Sequence, residues 1–104
     1  MADWVKVATT DEVPPGEMKI VEVGGEEVVI ANVDGDFAAF NNTCTHRGGP
    51  LGAGLLMGNV VECPFHGGRF NVRTGEAVSP AKMGTPVKTY TVQVDGKDIE
   101  IGTA

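Results

Sequence analysis

The sequence predicts an all-β domain. Three observations carry that expectation: short runs that alternate in or near period two, fifteen glycines and six prolines that break the chain into those runs, and no stretch that keeps a helical period for long. A chain of 104 residues makes one domain, able to fold alone around a modest core.

In chain order, Trp4-Val5-Lys6-Val7 reads as the first strand. Residues 9–13 supply a single helical turn, which Pro14-Pro15 stops because proline has no amide to donate. Met18-Lys19-Ile20-Val21-Glu22-Val23 alternates as the second strand, and Gly24-Gly25 turns it back into residues 27–33. Asp34-Gly35-Asp36 marks the next hairpin, leading into residues 37–40. Residues 59–62 and 69–72 run into and out of a loop, and residues 89–94 alternate again before the Asp95-Gly96 turn. The strands before residue 41 and after residue 86 form a base, drawn as 1–42 and 84–104, on which residues 43–83 sit as an excursion. Trp4, Phe37, Phe40 and Tyr90 are expected in the core, with Met57 and Met83 as gap fillers.

The excursion holds the chemistry. Cys44-Thr45-His46-Arg47-Gly48-Gly49 and Cys63-Pro64-Phe65-His66-Gly67-Gly68 contain both cysteines and both histidines of the chain. Two sulfur and two nitrogen ligands in paired loops imply a metal centre. Tetrahedral zinc accepts that donor set, but zinc modules usually set a cysteine pair ahead of a histidine pair. Here each loop carries one Cys and one His, which favours two irons, one held by the cysteines and the other by the histidines. On spacing alone both readings stay open.

The flanking residues extend the pattern. Cys44 to Leu51 reads C-T-H-R-G-G-P-L and Cys63 to Phe70 reads C-P-F-H-G-G-R-F. Downstream come Phe70-Asn71-Val72-Arg73-Thr74-Gly75-Glu76, Ser79-Pro80 and a late strand ending in Asp95-Gly96. Over about residues 16–101 the chain resembles the Rieske-type 2Fe–2S proteins, and all four ligand positions are filled.

That resemblance implies an antiparallel β-sandwich base with a small cluster-binding subdomain. It also implies one 2Fe–2S cluster, with Cys44 and Cys63 on a buried ferric iron and His46 and His66 on the iron that takes the electron. Such a centre is formally neutral when oxidised, whereas four thiolates would leave it negative before reduction. Rieske centres accordingly fall at roughly −150 to +300 mV, above plant-type ferredoxins near −400 mV. High-potential members carry an extra cysteine in each loop, where this chain has Gly49 and Phe65, and a Ser and a Tyr where it has Gly68 and Phe70. With no bridge and no hydroxyl donors, a potential low in the range is expected.

The other residues of the loops have simpler expectations. Gly48, Gly49, Gly67 and Gly68 allow close backbone approach or simple turns, and Pro50 and Pro64 stiffen the loops. Ser79-Pro80 resembles the segment that covers the cluster in the family. Arg47, Arg69 and Lys82 are either a docking ring or solvated side chains. The glycine-rich run from Gly48 to Gly54 lacks the Lys-Ser/Thr of a phosphate loop, and Asn41-Asn42-Thr43 fits a glycosylation sequon with no role in the cytoplasm. With both histidines engaged, no Ser–His or Cys–His nucleophile remains, so no enzyme activity is expected.

A net charge of −6 disfavours nucleic acid as a partner and suits docking on a basic protein surface. The N-terminal residues lack a signal-peptide pattern and no apolar run spans a bilayer, so a soluble, cytoplasmic monomer is expected. A disulfide between the two cysteines would imply export and is the weaker reading. The function expected is one-electron carriage from a flavin-dependent reductase to a terminal oxygenase, with transient docking at the His46/His66 end. A non-catalytic subunit of a larger reductase, such as a nitrite-reductase small subunit, is the alternative; a structural zinc module comes third.

Overall fold

A computed structural model describes residues 4–43, 50–64, 68–79 and 86–102. Eleven strands and two 3-10 turns follow in order: β1 (Trp4–Thr9), η1 (Thr10–Glu12), β2 (Met18–Val23), β3 (Glu26–Val33), β4 (Asp36–Asn41), η2 (Leu51–Ala53), β5 (Leu55–Met57), β6 (Val60–Glu62), β7 (Arg69–Asn71), β8 (Ala77–Ser79), β9 (Thr89–Tyr90), β10 (Val92–Asp95) and β11 (Asp98–Gly102). They form three antiparallel sheets in the orders β1-β11-β10, β2-β3-β4-β9 and β5-β6-β7-β8. Among the described residues, no helix is long and apolar enough to cross a membrane.

The hairpin signals act where the sequence places them. Asp34 (φ 53°) and Gly35 (φ 96°) both take the left-handed backbone that a two-residue turn requires, so Val33 pairs with Asp36. The Asn32 side chain locks this turn: its Oδ1 accepts the Gly35 N–H at 2.7 Å, and its Nδ2 donates to the Val13 carbonyl at 2.7 Å. Gly24 and Gly25 serve the β2–β3 turn in the same way (φ 59° and 86°).

β3 is the centre of the molecule, because it is buried on both faces from Val28 to Val33. Val28 and Ile30 join Ala8, Val13, Ala39, Ile99 and Ile101 in one apolar core. Val29, Ala31 and Val33 join Phe40, Leu51, Val61, Cys63 and Phe70 in the other. Period-two alternation thus divides one strand between two cores, one against the β1-β11-β10 sheet and one against the segment that carries the ligand loops.

The structure corrects several expectations. Residues 89–94 are two strands: Tyr90 pairs with Ala39 of β4, whereas Val92 pairs with Ile101 of β11. Thr91 makes the switch between sheets, and its carbonyl accepts the Gly102 N–H at 2.9 Å. Trp4 is not core; it lies exposed on β1, with its ring against Gly102. Met57 is exposed on the outer strand β5 and fills no gap, and Met83 lies outside the described residues. β5, β8 and η2 are additional to the elements read from sequence, and β11 is the partner strand that the Asp95-Gly96 hairpin signal left unplaced.

Candidate metal centre

Both ligand loops grow out of paired backbone. β4 ends at Asn41, and the chain then passes through Asn42 and Thr43 into residues 44–49. An isolated antiparallel bridge joins Thr43 to Pro50 and closes the first loop at its base. Below the bridge, the Leu51 N–H donates to the Asn42 carbonyl at 2.7 Å, and the Gly52 N–H donates to Asn42 Oδ1 at 2.8 Å. Asn41 secures the preceding residue: its Oδ1 accepts the Thr43 N–H at 2.9 Å, and its Nδ2 donates to the Tyr90 hydroxyl at 3.1 Å.

The second loop extends the β6–β7 hairpin. Glu62 pairs with Arg69, and one step further the Cys63 N–H donates to the Gly68 carbonyl at 2.7 Å. An ion pair of 2.9 Å between Arg69 Nε and Glu62 Oε1 clasps the outer side of the hairpin. Cys63 is 1% exposed and packs in the core that includes Leu51, Val61 and Phe70. Burial of Leu51 and Phe70 beside it ties the exit of the first loop and the exit of the second to one apolar cluster.

The two loop bases also meet through backbone. A Cβ on Gly54 would lie 1.9 Å from the Glu62 carbonyl oxygen, and a Cβ on Gly52 would lie 2.4 Å from Ile20 Cγ1. Glycine at both positions lets residues 52–54, the exit of the first loop, press against β2 and against the residue just before Cys63.

Of the expected ligands, Cys63 is placed, whereas Cys44, His46 and His66 lie outside the described residues. Gly48, Gly49, Phe65, Gly67, Pro80, Arg47 and Lys82 lie outside them as well. Gly68 is buried at the mouth of the second loop, and Phe70 is fully buried. Arg69 is exposed but spends its charge on Glu62, which weakens it as a member of a docking ring. The residues that sequence reading passed over are Asn41, Asn42 and Gly54. Two asparagines immediately ahead of a ligand loop were the available signal, since such side chains cap turns readily.

Among the described residues, two groups titrate away from their ordinary values, Glu12 in η1 and Lys88 just ahead of β9. The Lys19 ammonium, and then the Thr9 amide, bond to Glu12 and hold its carboxyl down at about 2. A hydrogen bond to Glu26 raises Lys88, helped by Tyr90, over whose ring the ammonium sits at 5.0 Å.

The scaffold fits a cluster of two irons. Two soft thiols and two imidazoles, rooted on adjoining closed backbone and not on a single ligand knuckle, suit a group that shares its ligands between two metals. Comparison with known proteins agrees. The family model for the Rieske [2Fe-2S] domain matches residues 3–96. The biphenyl dioxygenase ferredoxin subunit of Pseudomonas sp. (strain KKS102) is 43% identical over 97 residues, covering 92% of this chain and 88% of that protein. The ferredoxin of carbazole 1,9a-dioxygenase from Nocardioides aromaticivorans IC177 superposes with a TM-score of 0.91 at 35% identity, over 97% of this chain and 98% of that one. A ferredoxin chain in the complex of reduced oxygenase and oxidised ferredoxin of carbazole 1,9a-dioxygenase gives 0.88 at 36% identity, over 95% and 92%. On its family match and on relatives of this identity and coverage, the chain belongs to the Rieske [2Fe–2S] family and is one of its ferredoxins.

Proposed function

We propose that this ferredoxin passes single electrons from a flavin-dependent reductase to the terminal oxygenase of an aromatic-ring dioxygenase system. One observation carries the reading: a ferredoxin 36% identical to this chain over 95% of its length forms a complex with an oxygenase. Cys44 and Cys63 hold one iron of the cluster, and His46 and His66 hold the other. Residues 43–83 act as the cluster-binding subdomain, with 1–42 and 84–104 as its base. When bound, the cluster stores one electron at a time. The chain's part is to keep that group seated, partly dry and close to a partner. Cys63 is buried in an apolar core, which limits water at the sulfur side, and His46 and His66 form the docking end.

Gly68 and Phe70 set the potential low in the Rieske range, because neither offers a hydroxyl to stabilise the added negative charge.

Redox titration followed by electron paramagnetic resonance of the reduced protein tests the reading. A rhombic Rieske signal appearing near about −150 mV is expected, and Cys63→Ser should abolish it. A midpoint well above zero would overturn the low-potential assignment. Zinc in place of iron in anaerobic preparations would overturn electron transfer.

A further inference from the structure

Asn42 and Asn32 are the buried polar side chains among the described residues. Asn32 serves a hairpin far from the ligands, whereas Asn42 stands directly before the first ligand loop. Each polar group of Asn42 is engaged. Its N–H donates to the Glu27 carbonyl at 3.0 Å and its own carbonyl accepts Leu51 N–H at 2.7 Å. Its Oδ1 accepts the Gly52 N–H at 2.8 Å, and its Nδ2 donates to Glu27 Oε1 at 3.2 Å. Two of these bonds reach forward across the loop to its exit, and two reach sideways to β3.

We propose that Asn42, working with Glu27, is a positioning residue for the cluster. Its amide pins the entry and the exit of the first ligand loop to the central strand, which fixes where the segment carrying Cys44 and His46 leaves and rejoins the scaffold. This rests on the ligand assignment above. Such a pin serves this loop, because among the described residues its base is joined by one isolated bridge and the Leu51–Asn42 backbone bond, and its sequence carries consecutive glycines at 48 and 49. Among side chains of this size, only an amide can accept from Gly52 and donate to Glu27 at once. Aspartate would keep the acceptor but set a second carboxylate against Glu27. Gly52 completes the device: a Cβ there would come 3.0 Å from Asn42 Oδ1 and 2.4 Å from Ile20 Cγ1, so only glycine lets the chain close onto the amide.

The test uses the full-length holoprotein with Asn42→Asp, Glu27→Ala and the double variant Asn42→Asp/Glu27→Gln. In the double variant the donor moves to position 27 and the acceptor stays at position 42. Asn42→Asp should bleach about tenfold faster under an iron chelator, as loss of a buried hydrogen bond predicts, and should broaden and shift the resonance of the reduced cluster. The double variant should return both readouts close to wild type. Glu27→Ala, at an exposed position that does not endanger folding, should bleach about threefold faster. Amide exchange at Gly52 in the apoprotein should accelerate in Asn42→Asp and recover in the double variant, independently of any metal. Wild-type bleaching and spectrum in Asn42→Asp, or no recovery in the double variant, would overturn the proposal. A wild-type protein that takes up no cluster, with Gly52 exchange behaving as expected, would overturn the ligand assignment and with it the cluster-positioning role.

Discussion

At Gly68 the backbone carbonyl accepts from Cys63, and among the described residues a Cβ would come no nearer than 3.9 Å, to Phe70 Cε1. Gly68→Ser should raise the midpoint by on the order of 50–100 mV if its hydroxyl donates to the reduced cluster. Protein-film voltammetry reads this directly. Phe70→Tyr is a harsher probe, because Phe70 is fully buried and a hydroxyl with no acceptor there costs about 1–3 kcal/mol. Gly54 is the opposite of Gly68. A Cβ would lie 1.9 Å from the Glu62 carbonyl, so Gly54→Ala must push the two loop bases apart. It should cost about 3 kcal/mol in urea denaturation, at the upper end for overpacking. The Rieske family was legible from sequence because each Cys–His pair is a local pattern within one loop. Asn42 and Gly54 were not, because their constraints are contacts with Glu27 and Glu62 across strands, and a local pattern carries no record of them.

The hairpins were legible for the same local reason: Asp34-Gly35 and Gly24-Gly25 state their backbone angles in their residue types. The break of residues 89–94 into β9 and β10 was not, since continuous alternation cannot say which of two sheets each half will join. The turn η1 was anticipated, and it carries a pH signature. The Glu12 carboxylate accepts the Thr9 N–H at 2.8 Å and pairs with Lys19, which holds its pKa at about 2 against an ordinary 4.5. A carboxyl depressed in the folded state stabilises fully above the unfolded value and ceases to do so as pH falls through the folded one. Glu12→Gln should therefore be slightly less stable than wild type at neutral pH, with the difference closing between about pH 4.5 and 2. The effect is small, because the pair is exposed and screened. Thermal melts of both proteins across that range give the answer.

Among the described residues, three sheets meet in two apolar cores, and both are lined by β3. A cut on either face of that strand should therefore be felt as one event. Ile30→Ala, facing one core, and Val29→Ala, facing the other, should each lower the single melting transition of the apoprotein without splitting it. Calorimetry would show one peak, with losses of about 2–4 kcal/mol for the isoleucine. The all-β class was legible from alternation and turn residues, but this sharing was not, because a strand buried on both faces differs from a one-faced strand only in what comes to rest against it.

The two-sided burial of β3 also bears on how the protein is made in the cell. If neither core can form without the strand that walls the other, a newly synthesised chain is either shapeless or complete, with no half-built form persisting between. Any machinery that delivers iron and sulfide then meets a finished receptacle whose loop bases are already shut by Asn42 and by the Cys63–Gly68 bond.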